Sequence, residues 1–323
     1  MQKRILRALC ALAALVIQPV MAQQTYPNRP IKLIVGFAPG GSGDIAARLV
    51  AEKLGQELKQ PIIVENRPGA GGNIGAEVVA HSAPDGYTLL MASTSQVVIN
   101  PSLYKKMSFS PTKDLVPITL MQNEHNLMVV TPSVPAKTLK EFIAYAKANP
   151  TAVTFASPGL GTPAHLAGEL MNQAVGLKML HVPYKGTSAA VSDLLAGHVT
   201  MAIDNMPALL PQVKAGKLRA LAVASEHRAA AAPDIPTMGE AGLPGYVVLA
   251  WKGLMAPAGT PQPIIDKLHA AMIKMLAMPD VRRRMIDLGA EPAGGTPEKF
   301  HDLIKSDTAK WAAVVKSTGT SLD

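Results

Sequence analysis

One local pattern occurs twice in this chain and constrains the fold more than any other feature. Residues 35–49 and residues 154–170 each read as an apolar strand, a turn rich in proline and glycine, and a helix patterned with alanine and leucine. Glycine lets the backbone approach a ligand closely, and a helix N-terminus presents unpaired N–H groups with partial positive charge. Two such ends predict two lobes that share one bound anion. Two ordinary strand-to-helix turns are the alternative.

Strand and helix patterns alternate along the rest of the chain, which predicts an α/β fold with parallel strands and helices on both faces. The predicted strands are 31–37, 61–65, 87–92, 127–131, 152–156, 179–183, 200–204, 219–224 and 246–255. The predicted helices are 45–58, 73–80, 138–148, 163–175, 188–196, 262–277, 280–288 and 297–316.

The strand–helix pattern restarts after Pro117, and the proline-rich region 244–263 is interpreted as a return crossing between lobes. The sequence therefore predicts two lobes, each a mainly parallel sheet flanked by helices, with a ligand between their strand C-termini. The predicted first lobe comprises 23–125 plus 246–323, and the predicted second lobe comprises 126–245.

The N-terminus has the pattern of a secretory signal peptide. A basic start at residues 3–7 precedes an apolar run at 8–16, and Val20-Met21-Ala22 resembles a small-residue cleavage site. We expect cleavage after Ala22 and a periplasmic protein of 301 residues; a retained N-terminal anchor is the alternative. Cys10 is the only cysteine, so the mature chain would have no disulfide, thiolate metal site or thiol nucleophile.

Charge gives a weak indication of the ligand. The net charge is +8, and removing the three basic residues of the signal leaves 28 basic and 23 acidic side chains, a net charge of +5. The densest basic run, 282–284, is interpreted as a solvated helix face. We expect no nucleic-acid partner, and a mild positive field favours small anionic molecules.

Enzyme motifs were sought and none is complete. Residues 159–164 fit the G-x-G-x-x-A dinucleotide pattern, but the next predicted strand ends in residues 181–185 without the acidic residue that would bind a ribose. The histidines do not form a metal-binding set with carboxylates, so we expect no metal and no cofactor. An exported hydrolase, built from Ser, His and Asp residues far apart in the sequence, is the enzyme alternative.

Six segments, in order along the chain and including parts of the two repeated turns, point to one family. Together they resemble the Bug-type extracytoplasmic binding proteins of tripartite tricarboxylate transporters. The matching segments are 38–44, 65–72, 84–89, 157–165, 182–186 and 195–204. One departure is Ala38 with Gly43-Asp44, where many members have a second proline and Thr-Asp. The resemblance implies a two-lobed Venus-flytrap protein of the periplasm, expected to be a monomer and not an enzyme, that delivers an organic anion to membrane permease subunits.

The resemblance also implies a set of ligand-binding residues. In this family one carboxylate is gripped by backbone and hydroxyl groups, often through ordered waters. The ligand-binding residues predicted in the first lobe are Phe37, Ala38, Gly40, Gly41, Ser93 and Thr94. The ligand-binding residues predicted in the second lobe are Ser157, Gly159, Gly161, Thr162 and His165. Tyr184 is predicted to form part of the pocket wall, and Asp204 to accept a hydrogen bond from the ligand.

Alternative roles remain open for several of these residues. Ser157 and Thr162 would also serve as helix caps, Phe37 and Tyr184 as core residues, and Asp204 as an anchor for a neighbouring loop. For the far end of the ligand we expect contacts from loops at 93–100, 121–126 and 204–208, with Gln96, Asn123 and Asn205 as candidates. A periplasmic sensor that presents its ligand to a membrane kinase would use the same cleft.

Overall fold

The computed structural model describes residues 26–322, so the predicted signal peptide and its cleavage after Ala22 lie outside the described residues. The strands are β1 Ile31–Val35, β2 Ile62–Asn66, β3 Thr88–Ser93, β4 Leu115–Val130, β5 Thr154–Ser157, β6 Leu180–Pro183, β7 Met201–Asn205, β8 Arg219–Val223, β9 Leu249–Pro257 and β10 Ala290–Pro292.

Eleven α-helices are present among the described residues. They are α1 Ser42–Leu58, α2 Asn73–Ala80, α3 Asn100–Leu103, α4 Pro111–Asp114, α5 Leu139–Ala148, α6 Pro163–Val175, α7 Thr187–Ala196, α8 Met206–Lys214, α9 Gln262–Ala277, α10 Pro279–Asp287 and α11 Pro297–Thr318. A 3₁₀ turn at Ala70–Gly72 precedes α2, and a π-helical turn at Ser95–Ile99 precedes α3. None of the helices within 26–322 is long and apolar enough to cross a membrane.

The strands form two lobes with related cores. In the first lobe β1 pairs in parallel with β2 and β3, and in the second lobe β5 pairs in parallel with β6 and β7. Antiparallel strands extend both cores: β9 lies against β3, and β4 lies against β7, β8, β9 and β10. The predicted parallel units are therefore present, each enlarged by antiparallel strands that pass near the junction of the lobes.

Strand β4 connects the two lobes. Its first part pairs with β9 up to His125, and its remainder pairs with β7 from Asn126 onward. The sequence predicted only 127–131 as a strand here and a loop at 121–126. That loop prediction is wrong, because the polar side chains of this segment find buried partners inside the protein. Glu124, for example, is fully buried and pairs with Lys252 on β9.

Two other predicted loops are also regular structure. Residues 93–100 end β3 and then form the π-helical turn, and residues 204–208 end β7 and begin α8. Buried hydrogen bonds explain the first difference: the Gln96 side chain accepts from the backbone N–H of Ser93 at 2.8 Å and donates to the carbonyl of Gly72. These hydrogen bonds hold the end of β3 in place.

The C-terminal helix α11 contacts both lobes. It packs on β4, on the π-helical turn and on α6, and its buried residues include Phe300 and Trp311. The Trp251 indole of β9 meets the Phe300 ring edge-on at a centroid distance of 5.2 Å and donates to Asp307 at 2.8 Å. This apolar contact fixes β9 at the junction of the lobes.

Candidate functional site

A small buried cavity, the inner chamber, lies between the two lobes. Its volume is about 30 Å³, which is room for roughly two water molecules or one carboxylate group. Most of its side chains are small or polar. The lining residues are Phe37, Gly41, Ser42, Gly43, Ser93, Thr94, Ser95, Pro158, Thr162, Pro163, Thr187, Asp204, Asn205, Ala250 and Lys252.

Four helices begin at this chamber. Helix α1 has Gly41 as its N-cap, α6 has Thr162, α7 begins at Thr187, and α8 has Asn205 as its N-cap. Only α6 is capped by a side chain, since Thr162 Oγ1 accepts from the N–H of His165. The other three N-termini have no side-chain cap, and their N–H groups add partial positive charge around the chamber.

The topology explains why these four helices meet. Each follows directly after a strand of a parallel core: α1 follows β1, α6 follows β5, α7 follows β6 and α8 follows β7. The C-terminal ends of parallel strands share one edge of a sheet, so the helices that follow them begin at that edge. The two lobes face each other with these edges, and the chamber lies between them.

The lobes touch each other beside the chamber. Asn205 of the second lobe donates from Nδ2 to Ser42 Oγ of the first lobe at 3.0 Å. Ser188 Oγ donates to the carbonyl of Pro39 at 2.6 Å. The other polar atom of the Asn205 amide, Oδ1, is buried and has no hydrogen-bond partner among residues 26–322. Because a buried acceptor is costly without a donor, this atom suits a bridging water in the chamber.

One lysine lines the chamber, but a carboxylate already balances its charge. Lys252 Nζ lies 2.8 Å from Glu124 Oε2, and both side chains are almost completely buried. Gln122 donates to the other oxygen of Glu124 at 2.6 Å. The attraction that this site exerts on an anion therefore comes mainly from the helix N-termini.

Asp204 is the acidic residue of the chamber wall. It accepts the backbone N–H of Asn205 at 2.7 Å and is only 3% exposed. Burial raises the pKa of Asp204 to about 7, against the opposing effects of the Asn205 and Thr187 hydrogen bonds and of Lys252. The carboxyl group is thus partly protonated at neutral pH and repels an incoming anion less than an ordinary aspartate would.

A larger cavity, the outer chamber, adjoins the inner one and has a volume of about 610 Å³. Phe37 and Pro158 line both chambers. Its other lining residues are Pro68, Gly69, Ala70, Gly71, Gly72, Ile74, Tyr104, Gly159, Leu160, Pro183, Tyr184 and Lys185. Both lobes contribute to this wall, so the two chambers form one cleft.

The structure brings most of the predicted site residues to this cleft. The residues at the inner chamber are Phe37, Gly41, Ser93, Thr94, Thr162 and Asp204. Gly159 and Tyr184 line the outer chamber. The Thr94 hydroxyl accepts the backbone N–H of Trp251 at 2.9 Å, and Thr162 combines the predicted capping role with its place in the chamber wall.

The remaining predicted residues lie behind the lining. Ala38 and Gly40 face the second lobe, where a side chain at Gly40 would meet Ser188. Gly161 packs against Asn100, whose Oδ1 atom would lie only 2.4 Å from an added Cβ. Both glycines have positive φ angles, so they permit close contact between the lobes.

Ser157 and His165 belong to a buried cluster under the second-lobe turn. The Ser157 hydroxyl bonds to His181 Nε2 at 2.6 Å and accepts the N–H of Gly159. The His165 ring stacks on the His181 ring at 4.2 Å. Burial lowers the pKa of His165 to about 4, and burial with the adjacent His165 lowers the pKa of His181 to about 3. Both rings are therefore neutral at pH 7 and shape the turn.

Sequence reasoning missed several lining residues, among them Ser42, Gly43, Ser95, Thr187 and Lys252. For two of them the sequence contains a feature that points to the site. Thr187 follows a glycine at a helix start, as in the two turns that were recognised, and Lys252 is a lone charge within an apolar strand. Asn205 was considered only for the far end of a ligand, whereas it lines the inner chamber. No group of three or more His, Cys, Asp or Glu side chains suited to a metal occurs within 26–322.

Comparisons with known proteins agree on one family. Residues 46–320 match the model of the tripartite tricarboxylate transporter family receptor. The periplasmic binding protein BugD is 37% identical, with a TM-score of 0.88 over 92% of this chain and 99% of that chain. A Rhodopseudomonas palustris protein, MatC, solved with malate is 36% identical, with a TM-score of 0.86 over 90% of this chain and 100% of that chain. An R. palustris protein solved with adipate is 34% identical, with a TM-score of 0.90 over 92% of this chain and 99% of that chain.

The raised pKa of Asp204 predicts a pH-dependent stability difference between the wild type and Asp204→Asn. Between about pH 4 and pH 7 the folded protein keeps a proton on Asp204 that the unfolded chain has released. The contribution of this proton to the unfolding free energy is therefore lost as the pH rises through about 7. We expect the unfolding free energy of the wild type, relative to the variant, to fall by about 3 kcal/mol between about pH 5 and 8.

Urea unfolding of both proteins at several pH values measures this difference. The asparagine amide oxygen can still accept the N–H of Asn205, so the variant retains the local geometry. Parallel stability curves for the two proteins across this range would show that Asp204 titrates as an ordinary carboxylate.

Proposed function

The chain belongs to the family of tripartite tricarboxylate transporter receptors, and from this premise we propose that it captures a small organic carboxylate between its lobes and delivers it to membrane permease subunits. The observation that carries the proposal is the convergence of four helix N-termini on the inner chamber. Backbone N–H groups at helix starts are suited to carboxylates. The relatives solved with malate and with adipate support the same ligand class.

We further propose that the protein works as a monomer in the periplasm after cleavage behind Ala22. The lobe boundaries are proposed at 125/126 and 245/246. The change of partners along β4, from β9 at His125 to β7 at Asn126, supports the first boundary. Binding would not be followed by chemistry, as is usual for a transport receptor.

Closure of the lobes would complete the site. A carboxylate that first meets α1 in the first lobe gains the N-termini of α6, α7 and α8 when the second lobe approaches. The contacts of Asn205 with Ser42 and of Ser188 with Pro39 form in the same movement. A ligand favours the closed state only through such differential contacts. The closed form would therefore be the one presented to the permease.

A thermal-shift comparison of acids with their amides tests the proposed function. Adipate and malate are compared with adipamide and malamide, which keep the shape but lack the negative charge. At about 100-fold excess over the dissociation constant, a bound acid stabilises the protein by roughly 2.7 kcal/mol. We expect stabilisation by at least one acid and by neither amide; equal stabilisation by acid and amide would contradict carboxylate recognition.

Two neighbouring isosteric substitutions should change affinity in different ways. Asn205→Asp adds a negative charge to the inner chamber, whereas Asp204→Asn removes one. We expect Asn205→Asp to weaken binding of adipate at least tenfold, which is about 1.4 kcal/mol. We expect Asp204→Asn to bind adipate at pH 8 at least as tightly as the wild type.

Isothermal titration calorimetry measures both affinities, and circular dichroism checks that both variants are folded. The pair controls for general disturbance because the two residues are adjacent and similarly buried. Equal losses of affinity in both variants would indicate that the charge of the chamber does not govern binding.

A further inference from the structure

The two chambers of the cleft differ in size and in chemistry. The inner chamber, at about 30 Å³, has room for little more than one carboxylate group. The body of any larger acid must then extend into the outer chamber, which has a volume of about 610 Å³. Phe37 and Pro158 line both, so a ligand can pass between them. The wall of the outer chamber therefore determines which acids fit.

That wall is almost entirely apolar. Apart from Lys185, its side chains are aromatic, aliphatic or proline, with the hydroxyl groups of Tyr104 and Tyr184 as their only polar atoms, and four glycines lie among them. Lys185 is the only lysine, arginine, aspartate or glutamate among its lining residues, and it is exposed to solvent. The Tyr184 hydroxyl is engaged by Asp193 at 2.6 Å, which leaves the ring of Tyr184 as its contribution to the wall.

Two large apolar side chains at this chamber are unusually exposed. Ile74 on α2 is 46% exposed and Leu160 in the second-lobe turn is 37% exposed, although the two come from opposite lobes. Exposed apolar surface beside a cleft is typical of a ligand-binding groove. A ligand with an apolar body would cover both side chains when the lobes close.

We propose that the outer chamber selects carboxylates with an unsubstituted apolar body, aromatic or aliphatic, over acids whose body carries hydroxyl groups. This inference rests on the proposed function and names the ligand class of the same cleft. Moving the apolar atoms of a ligand from water into this chamber lowers the free energy of binding. A hydroxyl group there loses its water and finds few side-chain partners, which is unfavourable.

The matched pair of hexanoate and gluconate tests this selection. Both are six-carbon monocarboxylates, but gluconate carries a hydroxyl group on every carbon of its body. By calorimetry at one pH we expect hexanoate to bind at least tenfold more tightly than gluconate. We expect 3-phenylpropionate to bind at least tenfold more tightly than gluconate as well. Equal or tighter binding of gluconate would overturn the inference and leave the proposed function intact. Binding of no carboxylate among these three, adipate and malate would contradict the proposed function itself.

Variants of the chamber wall provide the second test, with matched controls. Ile74→Ser and Leu160→Ser shorten apolar side chains of the chamber. Val78→Ser on the same helix as Ile74, and Leu195→Ser, change side chains of similar exposure, 42% and 38%, that do not line the chamber. We expect the first two to weaken binding of the tightest apolar probe at least threefold each and the controls to leave it unchanged. Equal effects of chamber and control variants would overturn the inference.

Discussion

The structure depends on the meeting of helix N-termini from both lobes at one small chamber. Each N-terminus is equivalent to about half an elementary positive charge, so four of them create a strong field without any net charge on the side chains. Like poles repel, and a closed cleft is therefore most stable when an anion or oriented water lies between them. For this electrostatic reason, the proposed function couples ligand capture to lobe closure.

The side chains around the chamber moderate that field. Lys252 and Glu124 form a buried pair, whose main effect is to join β9 to β4 at the junction of the lobes, because a buried pair adds little net stability over apolar packing. Burial raises the pKa of Asp204 to about 7, so this carboxyl group is only partly ionised at neutral pH. In the proposed function, the backbone would therefore recognise the carboxylate group, and the apolar outer chamber would discriminate among carboxylates.

Much of this arrangement could be predicted from local sequence. The turns before α1 and α6 combine glycine, proline and hydroxyl residues within a few positions, and this pattern predicts helix starts suited to an anion. The parallel cores could likewise be predicted, because apolar strands alternate with patterned helices. The repeated turn and the restart of the strand–helix pattern after Pro117 predict two lobes around a single cleft, and the family resemblance implies the same arrangement.

Contacts between residues that lie far apart in the sequence could not be predicted. Glu124 reads as a loop residue because its partner Lys252 lies 128 residues further along the chain, and Gln122 in turn donates to Glu124. Ser157 and His165 were placed at the ligand from their position in the turn, yet the ring of His181 engages the first and stacks on the second. The sequence predicts α7, as residues 188–196, but it does not predict α8. Nothing local shows that the starts of these two helices meet those of α1 and α6.

A crystal structure of the protein with a bound carboxylate, such as adipate, would show which groups hold the anion. We expect one carboxylate group in the inner chamber, with its oxygens within about 3 Å of backbone N–H groups or bridging waters at the start of α1 and at a helix start of the second lobe. A carboxylate bound through side-chain charges alone, or touching only one lobe, would contradict this expectation.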